Sequence, residues 1–178
     1  MSVPEWDDSY RIGLPVFDNE HKELMSRIGS VFRAVEAGEA TSEVVSLIDD
    51  LLERFFRHIA WEEKWMECLI TPAGVEHRNL HKSGHRELIS RTALLRERFA
   101  QGGDGRAGLE DLAFLLTLSE LIQLDYEMVG LLRREGYLSG EDAGVVLPPE
   151  PSQPSAGSFN TKSPECLGVE RESFAKTD

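Results

Sequence analysis

The sequence predicts an all-α fold, an antiparallel up-down four-helix bundle with a disordered C-terminal tail. Three observations predict it. Apolar residues recur at three- and four-residue steps in four long segments. Short breaks holding Gly or Pro separate the segments, and short connections favour antiparallel neighbours. No stretch alternates apolar and polar residues as a strand would.

The first segment runs from Phe17 to Ala37, with Leu24, Met25, Ile28, Val31, Phe32 and Val35 sharing a face with His21. Gly38 follows where a C-cap residue belongs. Thr41 offers an N-cap to the second segment. That segment extends to about Leu69 through Val44, Leu47, Ile48, Leu51, Phe55, His58, Glu62 and Met66. Pro72 closes it and can open the third segment, from about Ala73 to Ala100, which stops at "QGGDG". The fourth pattern is Leu109, Leu112, Ala113, Leu116, Glu120, Leu124, Met128 and Leu131, reaching about Glu135. After Gly140 the composition changes. "VVLPPEPSQPSAGS" is rich in Pro, Ser and Gly without periodicity, so residues 1–140 read as the bundle and 141–178 as a flexible tail.

Composition narrows the function. No apolar run approaches the ~20 residues of a membrane span. "MSVPEWDDSYRIG" lacks the order of a signal peptide, and Cys68 and Cys166 form no disulfide framework. The expectation is a reduced, cytoplasmic protein with no membrane association. A net charge of −13 opposes binding to a phosphate backbone, so no nucleic-acid partner is expected.

The informative residues are polar ones on the inward stripes. A single inward histidine is more often a satisfied core residue than a ligand. His58 and Glu62 fit a simple i,i+4 hydrogen bond. "VEHRNLHKSGHREL" stacks His77, His81 and His85 at four-residue steps, but Glu76, Arg78, Lys82 and Arg86 would also suit a solvated face. Together these residues point elsewhere. Every helix turns His, Glu or Asp inward, and burying each unsatisfied group costs roughly a few kcal/mol. A metal centre satisfies all of them at once. Mixed imidazole and carboxylate donors without thiolate fit iron or manganese better than structural zinc. About six or seven donors suit two ions, bridged by carboxylates from facing helices.

The same residues resemble the hemerythrin family, whose members are among the known up-down bundles and hold an oxygen-binding di-iron centre. The resemblance covers residues 6 to about 136. Trp6 and Gly13, followed by "FDNEHKEL", resemble the family's W…G…D-x-x-H-K run. "HIAWEEKWM" resembles H-F-x-x-E-E-x-x-M, with Ile59 in place of an aromatic residue. "TPAGVEHRNLH" resembles Y-P-x4-H-x3-H. The resemblance implies His21, His58, His77 and His81 as metal ligands and Glu62 as a bridging carboxylate.

Gapless spacing from Met66 through Pro72 selects His77 with His81. The competing register is His81 with His85, because "LHKSGHREL" better resembles the family's sequence after its second histidine. Gly84 lies where an apolar residue is expected. One helical turn advances about 5.4 Å, so all three histidines cannot ligate one ion from a straight helix. The family's last motif, H-x4-D, is here "ELIQLD". Asp125 keeps the aspartate position as a second bridge, and Glu120 stands where the family has histidine.

The resemblance implies two non-haem iron ions as cofactor and dioxygen as the ligand, for storage, delivery or sensing. It assigns oxygen binding to the iron held by His21 and His58. Glu120 continues the stripe of Leu112, Ala113 and Leu116 and offers iron a hard oxygen donor; the alternative is that it faces water or an arginine. As a ligand its charge favours ferric iron. That raises the alternative of oxidase, peroxidase or nitric-oxide-handling chemistry. An oxygen binder is the expectation more than an enzyme, and no protein partner is legible.

Overall fold

The structure, a computed structural model, describes residues 5–138. The segment assigned to the tail lies outside them. Among the described residues every regular element is helical. A short 3-10 turn, Asp8–Tyr10, leads into α1 (Pro15–Ala37), α2 (Thr41–Met66) and α3 (Pro72–Ala100). A fourth helix joins α4 (Arg106–Phe114), a π-helical run (Leu115–Asp125) and α5 (Tyr126–Arg134). Leu115 and Tyr126, at the two joints, keep right-handed helical torsions, so the backbone does not break there. No helix among the described residues is long and apolar enough to cross a membrane.

Helix ends follow local chemistry, with two differences from expectation. Gly38 ends α1 at φ +68°, a left-handed conformation that glycine adopts without a Cβ clash. Thr41 does not cap α2; it is the first helical residue, and Ala40 precedes it without a side-chain hydrogen bond. The second helix also ends at Met66 rather than near Leu69. Tight turns from Cys68 N–H to the Trp65 carbonyl and from Leu69 N–H to the Met66 carbonyl take over there.

The unforeseen cap is Thr71. Its Oγ1 accepts the Gly74 N–H at 3.1 Å and donates to Glu135 Oε1 at 2.5 Å. Glu135 Oε2 also accepts the Ile70 N–H at 3.1 Å. The residue just past α5 therefore clasps the turn between α2 and α3. Gly74 is needed for this approach, because a Cβ there would lie 2.5 Å from Glu135 Oε1 and 2.9 Å from Leu69 Cβ.

The aliphatic core occupies one part of the bundle. Ile28, Val31, Ile48, Leu51, Leu95 and Leu109 are fully or almost fully buried there. Phe17, Trp61 and Trp65 pack together elsewhere, with Phe17 and Trp61 ring centres 5.3 Å apart. Phe17 lies about 6 Å from both His21 and His58, at 6.4 Å and 6.2 Å. Surface pairs such as Arg96–Asp49 and Arg54–Glu23 link helices on the outside, where solvent screens them and each adds little.

Thr71→Ala should lower unfolding stability by about 1 kcal/mol through loss of the cap, leaving helix content unchanged. Urea unfolding followed by circular dichroism measures it. An unchanged midpoint would mean that the clasp by Glu135 contributes nothing.

Candidate metal centre

Eight buried polar side chains converge inside the bundle. One stripe of α1 supplies His21, and one turn of α2 supplies His58 and Glu62. Four-residue steps align His77, His81 and His85 along α3. The fourth helix poses a geometric problem. Residues five apart on an α-helix point about 140° away from each other, so Glu120 and Asp125 could not both face inward. A π turn closes i to i+5 and stacks them. They sit inside the π run, 5% and 1% exposed. Apolar periodicity alone predicts ordinary helix here; the five-residue spacing of "ELIQLD" is the signal that it is not.

Glu62 and Asp125 lie at the centre, each with its two oxygens near different neighbours. Glu62 Oε1 is 3.6 Å from His21 Nε2, and its Oε2 is 3.1 Å from His85 Nε2, 3.3 Å from His58 Nε2 and 3.9 Å from His81 Nε2. Asp125 Oδ2 is 3.3 Å from His21 Nε2, while Oδ1 is 2.9 Å from His81 Nε2. Glu120 Oε2 is 3.5 Å from His81 Nε2 and 3.8 Å from His85 Nε2.

Three groups of potential donors result: His21, His58, Glu62 and Asp125; His81, Glu120 and Asp125; and Glu62, His81 and His85. His77 belongs to none of them. It is buried one turn away from His81, with ring centres 5.3 Å apart and Nδ1 3.5 Å from Glu127. The structure thus brings together His21, His58, Glu62, His81, Glu120 and Asp125 of the expected residues, and adds His85.

The donors suit cations better than hydrogen bonds. Glu62 Oε1, Glu120 Oε2, both Asp125 oxygens and both His81 nitrogens are buried with no hydrogen-bond partner. Such groups are costly alone. A pair of metal ions placed among them would satisfy imidazole and carboxylate together, so the residues present fit a dinuclear site. Two outer carboxylates strengthen the fit. Glu20 Oε2 accepts from His58 Nδ1 at 3.0 Å, and Glu63 Oε1 lies 3.4 Å from His85 Nδ1. A carboxylate on Nδ1 fixes the ring and leaves Nε2 free to ligate. Sequence reasoning missed Glu20 and Glu63, whose partners lie on other helices.

Without a metal, protons balance the carboxylates. Burial alone would lower His58, but Glu62 and Glu20 hold it well above its ordinary value. Burial is likewise outweighed at His81, which Asp125 and Glu120 push up to about 10, and at His85, raised by Glu62 and Glu63. Burial would raise Glu62; His58 and His21 hold it well below the usual carboxylate range. His77 moves the opposite way from the other α3 histidines, lowered by burial and by the charge of His81.

A family model described as the hemerythrin HHE cation binding domain matches residues 13–124, stopping one residue before Asp125. The chain is 31% identical over 143 residues to the bacteriohemerythrins of Pseudomonas aeruginosa strains LESB58 and UCBPP-PA14, covering 79% of this chain and 78% of each relative. It is 30% identical over 104 residues to the bacteriohemerythrin of Stenotrophomonas maltophilia strain R551-3, covering 58% of this chain and 65% of that one. No solved structure matches significantly.

The metal-free chain should have a defined pH optimum. Stability from charged His58, His81 and His85 is fully present below their unfolded value of 6.5 and is lost as pH rises through their raised folded values, about 10 for His81. The Glu62 contribution has the opposite sign, present above 4.5 and lost as pH falls through its lowered value. The melting temperature of metal-free protein should therefore fall on both sides of the interval between those two unfolded values. Metal uptake must displace the histidine protons, so affinity should strengthen from about pH 6 to 8. Calorimetry in two buffers of different ionisation enthalpy detects the released protons; uptake without proton release would contradict this assignment.

Proposed function

This chain belongs to the hemerythrin family, and on that premise we propose that it is a non-haem di-iron protein binding dioxygen for storage, delivery or sensing. The observation that supports this reading is the orientation of Glu62 and Asp125. Each has one oxygen near His21 on α1 and the other near a histidine of α3, His85 for Glu62 and His81 for Asp125. Carboxylates so placed would be shared between two ions if both were bound. His21 and His58 would hold one iron, and the α3 histidines with the fourth helix would hold the other. Iron bound there supplies the redox-active centre that dioxygen requires.

The chain's own residues prepare the first of these positions. Phe17 stacks on His21 and meets His58 edge-on, with Trp61 and Trp65 packed around it. An apolar wall limits water at the site and suits a small neutral ligand. Glu20 steadies His58 from outside. The reading keeps the protein cytoplasmic, in line with its cysteine usage, and without a nucleic-acid partner, in line with its net charge.

Anaerobic loading should give about two irons per chain by elemental analysis. Admitting dioxygen to the reduced protein should produce a visible spectrum that reverses on its removal. One iron, or zinc alone, would overturn the reading. Glu120→His, which removes one negative charge beside the metals, should raise the reduction potential and slow autoxidation at equal iron loading. An equal or faster rate would mean that Glu120 does not touch the metals.

A further inference from the structure

We propose that the second ion is held by His81, His85 and Glu120 together with the shared Glu62 and Asp125, that His77 stays outside this set, and that Gly84 is the residue that admits Glu120. The inference rests on the di-iron reading and specifies its second position.

The two stretches are matched in depth. Moving along α3, His77 faces Glu127 at 3.5 Å, His81 faces Asp125 at 2.9 Å, and His85 lies 3.8 Å from Glu120. Residue numbers rise on one helix as they fall on the other, so the carboxylates follow the histidines in depth, with Glu120 reaching both His81, at 3.5 Å, and His85. Glu120 thus lies toward His85, on the side of His81 away from His77. A ligand set containing Glu120 draws its second histidine from that side, since one turn in the other direction moves the donor by about 5.4 Å.

His85 is also dressed as a ligand. Its Nε2 lies 3.1 Å from Glu62 Oε2, and Glu63 lies at its Nδ1. This repeats the pattern at His58, where Glu20 holds the far nitrogen. His77 has only the second feature: Glu127 Oε2, on a side chain 58% exposed, lies 3.5 Å from its Nδ1. Its Nε2 is buried without a hydrogen-bond partner, and His77 belongs to none of the three donor groups.

Gly84 explains how a carboxylate reaches this position. A Cβ at residue 84 would stand 2.6 Å from Glu120 Oε1 and 3.0 Å from Leu124 Cδ1. Any side chain there would occupy the space the carboxylate now fills. Gly84 and Glu120 are therefore a matched pair: one supplies the gap, the other the donor that enters it. The result is an asymmetric centre, with one position served by two imidazoles and shared carboxylates, and the other by two imidazoles plus a carboxylate of its own. The added charge favours a hard, trivalent ion at the second position.

The test is metal content and visible spectrum of the full-length protein loaded anaerobically with iron(II), with circular dichroism of each metal-free variant to establish folding. His85→Ala, and the gentler His85→Gln, should each lose about one of the two irons, whereas His77→Ala should keep both. Gly84→Ala should lower occupancy of the second position but add nothing in a Glu120→Ala background, because it acts through that carboxylate. Loss of iron in His77→Ala, or full loading of both His85 variants, overturns the register. Additive losses in Gly84→Ala/Glu120→Ala overturn the role of Gly84. Wild-type protein that takes up fewer than two ions overturns the di-iron reading itself, which separates that failure from the others.

Discussion

Two carboxylates buried at the centre of the bundle, Glu62 and Asp125, constrain everything packed around them. They are almost wholly withdrawn from water, 0% and 1% exposed, and an uncompensated charge at that depth would be strongly destabilising. Compensation has to come from every side. His21 arrives from α1, His58 from α2, and His81 and His85 from α3. No single helix could supply this, so the charge requirement and the four-helix architecture imply each other.

The bundle separates its structural and chemical tasks. Its aliphatic region gains stability from buried apolar side chains, a contribution independent of metal. The polar cluster has no such independence. Metal-free, it depends on protons retained by histidines; loaded, it would depend on metal–ligand bonds. The aromatic residues Phe17, Trp61 and Trp65 limit solvent around His21 and His58. Folding and ligand binding are consequently coupled in one part of the protein and nearly uncoupled in the other.

Backbone departures sit where side-chain geometry demands them. The π run is the rarest helical form, and it lies where two carboxylates five residues apart must face one interior. Gly74 and Gly84 are places where a side chain would strike a carboxylate from elsewhere in the chain, Glu135 just past α5 in one case and Glu120 of the π run in the other. The first contact clasps the turn between α2 and α3; the second shapes the metal centre. Each trades a side chain on one helix for a polar group from another.

Local periodicity made much of this legible in the sequence. Helical spacing depends only on 3.6 residues per turn, so the inward stripes, Gly38 as a stop, and the pairing of His58 with Glu62 follow from one strand of text. The clustering of inward His, Glu and Asp likewise signalled a site, because several such residues cannot be buried without a shared partner. What the sequence could not determine was the alignment of one helix against another. Thr71, Glu20 and Glu63 gain meaning only beside Glu135, His58 and His85. The three histidines of α3 repeat at one spacing, and the gapless count from Met66 favours His77 with His81; the axial offset between α3 and the π run instead sets His77 opposite Glu127 and His81 and His85 near Glu120. That offset comes from side chains interlocking between helices far apart in the chain, a packing solution that periodicity within one helix does not encode.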